Sequence, residues 1–235
     1  MTRIVCAAFL FDMDGVLVDS TPAVARVWSH WASKHGFDPI ETTKRAHGRP
    51  CMSTLRELLP DASKHVLERE NAWMEAEEIA DVSDVVALPG TVELLSTLAP
   101  AQFAVVTSAL KPLADVRLRA GNLLQYVVHM VTADQIQHGK PDPEPYLKGA
   151  EKLHLRPQDC IVIEDAPSGV RSGKAAGARV IALRTTTPDH EMLEAGADWI
   201  INDCSAIRLG SSPGQSEIAF ELFDSPENRR IPKMS

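Results

Sequence analysis

Two aspartates, Asp12 and Asp14, follow the unbroken apolar run Ile4–Phe11 and precede Gly15. At the end of a buried strand this i, i+2 spacing sends both carboxylates into one crevice. Neighbouring carboxylates repel and raise each other's pKa. A hard cation removes the conflict, because Mg²⁺ takes oxygen ligands and keeps waters for a phosphate. Taken alone, the pair reads equally well as an Asx turn closing a strand. A second acidic pair, Glu164-Asp165, ends the run Cys160–Ile163. Two strands that both end in paired carboxylates make a convergent acidic site, costly without a metal. Lys140 lies in Gly139-Lys140-Pro141-Asp142-Pro143, where a fixed positive charge would offset the carboxylates and orient an anion. Thr107 and Ser108 end the run Phe103–Val106, and hydroxyls and N–H groups there suit a phosphate oxygen. Singly, Lys140 is also a surface lysine and Thr107-Ser108 a helix cap; jointly and in this order they are far from random.

The elements that must position these groups are short apolar runs alternating with helical patterns. The runs are Ile4–Phe11, Phe103–Val106, Val127–Val131, Cys160–Ile163, Val180–Leu183 and Trp199–Ile201. They read as strands buried on both faces of a parallel sheet. Helices are expected at Thr91–Leu98, Leu113–Ala120, Pro145–Leu153, Gly169–Ala176 and Asp189–Ala195. The fold class is therefore α/β, a doubly wound, Rossmann-like parallel sheet. Residues 17–88 interrupt it with helical spacing and no convincing strand, up to the hinge Leu88-Pro89-Gly90. They are expected to form a helical cap over the strand ends, with 1–16 and 89–235 as the catalytic core. Trp28 reads as helix core, with a lid over a ligand as the alternative, and Glu68, Glu70, Glu75, Glu77 and Glu78 as a solvated face. Gly169, Gly173, Ala176 and Gly177 read as close helix-to-sheet packing. The turn Gly210–Gly214 and the alternating stretch Glu217–Phe223 suggest a hairpin added to the sheet edge, before a frayed tail from Pro226.

Composition narrows the partners. In 235 residues, 24 Lys and Arg against 32 Asp and Glu leave a net charge of -8, which argues against nucleic acid as a default ligand. The apolar run at Ile4–Phe11 is far below the ~20 residues that cross a bilayer. Preceded by Arg3 it mimics a signal peptide, but it runs straight into Asp12, Asp14 and Asp19 without a small-residue cleavage site. A cytoplasmic location is expected, with Cys6, Cys51, Cys160 and Cys204 as unpaired thiols.

Four motifs found together, Asp-Met-Asp-Gly-Val-Leu-Val-Asp-Ser, Val-Val-Thr-Ser, Gly-Lys-Pro-Asp-Pro and Glu-Asp-Ala-Pro-Ser-Gly-Val, resemble those of the haloacid dehalogenase superfamily. The resemblance spans Ala7–Ile201 and is to the capped phosphatase and phosphomutase branch. Within it the chain is similar to fungal 2-deoxyglucose-6-phosphate and glycerol-phosphate phosphatases, through His47-Gly48-x-Pro50, the run Gly139–Gly149 and the run Ser172–Gly177. The resemblance implies Asp12 as nucleophile, Asp14 as acid and then base, and Lys140 as the charge that orients Asp12. It implies Mg²⁺ held by Asp12, Asp14, Glu164 and Asp165, with Asp14 contributing its backbone carbonyl. Thr107 or Ser108 would bind the phosphoryl group, and His47 and Arg49 in the cap would contact the substrate. Dehalogenases of the superfamily lack the acid at Asp14, so phosphoryl chemistry is implied. The expected activity is hydrolysis of a small sugar or polyol monophosphate through an aspartyl-phosphate, by a monomer or weak homo-oligomer. The alternative is a mutase of the β-phosphoglucomutase type. Those enzymes carry a cap His four residues before a Trp matched by Trp28, where this chain has Val24.

Overall fold

The computed structural model describes residues 3–46, 51–210 and 217–223. Its centre is a six-stranded parallel sheet in the order β6-β5-β2-β7-β8-β9. The strands are β2 (Ala8–Phe11), β5 (Phe103–Val106), β6 (Met130–Val131), β7 (Cys160–Glu164), β8 (Arg179–Leu183) and β9 (Trp199–Ile201). Every residue of β2, β5 and β7 is buried, as a strand covered by helices on both faces requires. From β2 the chain winds outward to β5 and β6, then returns to β2's other side for β7, β8 and β9. That reversal opens a crevice at the carboxyl ends of the central strands. Register fixes its floor: Phe11 sits opposite Val105 on one side and Ile163 on the other, so the residues that follow emerge together.

Alternation along β2 divides the core. Phe9 and Phe11 join Leu94 and Leu118 on one face, from α5 (Thr91–Thr97) and α6 (Lys111–Ala120). Ala8 and Leu10 join Tyr146, Val170 and Met192 on the other, from α7 (Glu144–Lys152), α8 (Pro167–Ala175) and α9 (Asp189–Ala195).

The expected first strand is two strands. β1 (Arg3–Cys6) ends before Ala7, whose N–H donates to Asp159 O at 2.8 Å, and β2 follows in a different sheet. Both are apolar, so composition alone hides the break. β1 buries Ile4 and Cys6 while Arg3 is exposed, the pattern of a strand with one covered face. The C-terminal hairpin of β10 (Ile207–Leu209) and β11 (Ile218–Leu222) does not extend the parallel sheet. With β1 it forms a separate antiparallel sheet in the order β1-β11-β10. Phe220 packs on Phe9 with ring centroids 5.2 Å apart and seals the two sheets together. The turn beyond Gly210 and the tail from Pro226 lie outside the described residues. The strand expected over Val127–Val131 shrinks to Met130–Val131 at the sheet edge, where Val128 is exposed.

Between β3 (Val18–Asp19) and β4 (Val86–Ala87) lie α1 (Thr21–His35), α2 (Pro39–Ala46), α3 (Cys51–Leu58) and α4 (Lys64–Ala80). β3 and β4 pair antiparallel, a two-residue ladder too short for any periodicity to reveal, so the stretch is not strandless. The four helices share a core of Val27, Trp28, Trp31, Ala46, Leu55 and Met74. The glutamates of α4 do not form one solvated face. Glu70 is buried, accepting from Trp31 Nε1 at 3.1 Å, and only part of the helix circumference faces water.

Phe220→Ala should cost about 3–5 kcal/mol, the usual loss for a buried phenylalanine. Urea unfolding checks this; a loss near zero would mean that the C-terminal hairpin does not share the core.

Candidate active site

Four sequence-predicted residues, Asp12, Lys140, Glu164 and Asp165, meet at the crevice floor. Asp12 follows β2, its N–H donating to Ile163 O at 2.9 Å. Lys140 Nζ donates to Asp12 Oδ1 at 2.7 Å, Glu164 Oε1 at 2.7 Å and Val106 O at 3.0 Å, which uses all three ammonium hydrogens. Glu164 is equally committed. Oε1 also accepts from Tyr146 OH at 2.7 Å, and Oε2 accepts from the N–H groups of Asp165 at 3.0 Å and Ala166 at 3.2 Å. Asp165 Oδ2 accepts from Thr186 Oγ1 at 2.6 Å.

Asp12, Glu164 and Asp165 each bring a carboxylate oxygen within 4.8 Å of the others, a group able to hold a metal ion. Burial pushes Asp12 up from 3.8 to about 7, against the pull of Lys140 and with the push of Glu164 and Asp14. Asp165 is raised well above the ordinary aspartate value, first by burial and then by Glu164 and Asp12. Burial also works against the Lys140 ammonium, but Asp12 and Glu164 outweigh it and hold Lys140 above the ordinary lysine value. One ammonium therefore stands among three acidic groups, and burial drives Asp12 and Asp165 toward their neutral forms.

Two glycines let these groups approach. Gly15 has φ +75°, and a Cβ there would lie 2.0 Å from Asp165 Oδ2. A Cβ on Gly169 would fall 1.7 Å from Glu164 Oε1. Gly173 packs helix on sheet as expected, meeting Val162 and Val180, whereas Gly169 makes room for the buried glutamate.

Asp14 opens into the same cleft as Asp12 but has partners of its own. Its Oδ1 accepts from Ser20 Oγ at 2.6 Å and its Oδ2 pairs with Arg117 Nη1 at 2.9 Å, so its carboxylate is not in the Asp12–Glu164–Asp165 group. Thr107 is buried and Ser108 exposed at the end of β5. Thr107 Oγ1 accepts from Ala109 N–H at 3.0 Å, which leaves its own O–H to donate. His47 and Arg49 lie outside the described residues.

Sequence reasoning passed over Arg117 and Tyr146, and placed on a solvated face Glu78, whose side chain is largely buried against Arg117. Arg117 sits among Leu113, Ala114 and Leu118 on the buried side of α6. A charge at that helical spacing was the available signal, because a buried charge needs a partner. Its Nη2 donates to Glu78 Oε2 of α4 at 3.0 Å. Glu75 and Glu78 also line the cleft, and burial raises the pKa of both. The cleft has a volume of about 280 Å³, with Val24, Trp28, Thr43, Asn71 and Met74 walling it on the helical side.

A family described as haloacid dehalogenase-like hydrolase matches residues 9–183. Hexitol phosphatase A of Escherichia coli (strain K12) is 40% identical over 210 residues, covering 88% of this chain and 96% of the relative. Glycerol-1-phosphate phosphohydrolase 2 of Saccharomyces cerevisiae is 31% identical over 232 residues, covering 92% and 90%. Among solved structures, a haloacid dehalogenase hydrolase of family IA, variant 3, from Entamoeba histolytica aligns at TM-score 0.77 and 26% identity, covering 86% of this chain and 95% of that one.

The raised Asp12 has a stability signature. Between about 4 and 7 the folded state keeps a proton that the unfolded state has released, so stability falls as pH rises through that window. In chelator, the wild-type protein should lose more stability between pH 5 and pH 8 than Asp12→Asn, by denaturant titration. Equal losses would remove Asp12 as the source.

Proposed function

The chain belongs to the haloacid dehalogenase-like hydrolases, and from that membership we propose that it is a Mg²⁺-dependent phosphatase of a small sugar or polyol monophosphate. The observation that carries this reading is the floor of the cleft, where Lys140 grips one oxygen of Asp12 beside Asp165. With Oδ1 held, Asp12 presents Oδ2 to phosphorus. The Asp12–phosphorus bond forms as the ester P–O bond breaks, giving an aspartyl-phosphate. Asp14 supplies the proton to the departing alkoxide, then takes one from the water that attacks the aspartyl-phosphate. Phosphate leaves and Asp12 is restored.

The donor set fits Mg²⁺, since clustered buried carboxylates are hard oxygen ligands with surplus charge. Asp12, Asp165 and the backbone carbonyl of Asp14 would hold it, while Glu164, its four contacts filled, anchors Lys140. When bound it neutralises phosphate oxygens, which a loose, charge-spread transition state needs. The Thr107 hydroxyl and the backbone N–H of Ser108 bind the transferring group at the end of β5.

Residues 17–88 serve as the cap and 1–16 with 89–235 as the core. Thr43, Asn71 and Glu75 offer hydrogen bonds to hydroxyls beside the apolar wall of Trp28 and Met74, which suits a polyhydroxylated chain. The names of the two relatives, a hexitol phosphatase and a glycerol-1-phosphate phosphohydrolase, support the same class. Val24 lines the cleft where the mutases that the sequence resembles carry histidine, which favours transfer to water over return to sugar. We place the enzyme in the cytoplasm; among the described residues no helix is long and apolar enough to cross a membrane. Exposed large apolar side chains are scattered on separate elements, in keeping with a monomer or weak homo-oligomer.

A phosphate-release screen over hexose, pentose, polyol and nucleotide monophosphates tests the reading. Turnover should require Mg²⁺, favour sugar or polyol esters and vanish in Asp12→Asn; full activity in that variant overturns the mechanism. Asp14→Asn should lose about 10²–10⁴-fold on alkyl esters. Independently of activity, Mg²⁺ should raise the Tm of the wild type by about 2–4 °C per kcal/mol of binding. Asp165→Asn should abolish that rise; an unchanged rise would place the metal elsewhere.

A further inference from the structure

Arg117 has 5% of its side chain exposed and is shared by two carboxylates from different regions of the chain. Nη1 meets Asp14 Oδ2 at 2.9 Å and Nη2 meets Glu78 Oε2 at 3.0 Å. A guanidinium is a rigid planar fork, so fixing one terminal nitrogen fixes the direction of the other. Breaking a buried pair on one side strands the remaining charge, which is strongly unfavourable. Nothing in the proposed chemistry so far uses this residue, although it lines the cleft.

We propose that Arg117 is a positioning residue for the acid step, aiming the Asp14 carboxyl at the leaving group, and that Glu78 of α4 in turn holds Arg117. The inference rests on the reading of Asp14 as acid. The two oxygens of Asp14 have different neighbours. Oδ2 is taken by a guanidinium, which can only donate, so that oxygen stays an acceptor. Oδ1 faces the Ser20 hydroxyl, which donates at 2.6 Å here and can rotate to accept instead. Proton transfer is therefore assigned to Oδ1, the oxygen that the guanidinium does not hold. As the Asp12–phosphorus bond forms and the ester P–O bond breaks, the Oδ1 proton passes to the departing alkoxide. The Arg117 contact fixes which oxygen does this and where it points.

Leaving-group dependence separates positioning from general support of the fold. An alkoxide needs the proton; a p-nitrophenolate leaves without it. Arg117→Gln should lower kcat/KM about 100-fold for a polyol monophosphate and less than about threefold for p-nitrophenyl phosphate, consistent with loss of acid catalysis. Glu78→Ala, which leaves the guanidinium in place but frees it to turn, should show the same selectivity at about tenfold. Should Arg117→Gln fail to fold by circular dichroism and thermal melting, Glu78→Ala decides. Equal losses on both esters in the folded variants overturn the proposal. Asp14→Asn is the control: if it is itself unselective, the assignment of the acid fails; if it is selective and the Arg117 and Glu78 variants are not, only the positioning role fails.

Discussion

A single buried ammonium organises the floor of the cleft. Lys140 bridges the end of β2, the end of β5 and the end of β7 through Asp12, the Val106 carbonyl and Glu164. Each contact uses one ammonium hydrogen, so its geometry is fully determined. Removing water from these charges costs several kcal/mol per ion, and only close pairing makes the arrangement tenable. Glu164 shares that constraint. It can be buried beneath the cleft because a tyrosine, a lysine and two backbone amides satisfy it, and because Gly169 has no side chain to displace it. The parallel sheet sets the stage, since its register delivers three strand ends to one level.

The charge balance explains why an acidic protein can handle an anion. Lys140 offsets some of the carboxylate charge, and burial beside like groups raises Asp12 and Asp165, a conflict that the proposed cation would relieve. A second cation, Arg117, has the equivalent role at the next layer up. It balances Asp14 from the core against Glu78 from the helical insertion. The acidic residues of the site are thus arranged as two tiers around two buried cations, and the cleft opens between them.

Much of this was legible in the chain because the relevant residues stand where apolar runs stop. Asp12, Thr107 and Glu164 each follow or end a strand whose burial is plain from composition, and helix positions followed from spacing. The breaks in legibility have specific causes. β1 and β2 form one apolar run, and only their different neighbours, β11 and the parallel sheet, separate them. The glutamates of α4 have a period but no absolute direction. Glu70 faces the tryptophan core and Glu78 faces Arg117, and neither orientation exists without the partner helix. Gly169 reads as a packing glycine until the carboxylate beside it is seen.

Local sequence was enough for the alternating architecture, the helical insertion after the first central strand, and the residue types able to carry phosphoryl chemistry. These depend on short-range periodicity and on where polar residues interrupt apolar runs. Packing settled how the carboxylates are paired. Glu164 is saturated by contacts from α7, the Lys140 loop and its own turn, whereas Asp12 and Asp165 remain underpaired. Asp14, two residues from Asp12 and in the same cleft, pairs instead with a guanidinium more than a hundred residues along the chain. Which charge meets which depends on long-range packing, and pairing across that separation leaves no trace in local sequence.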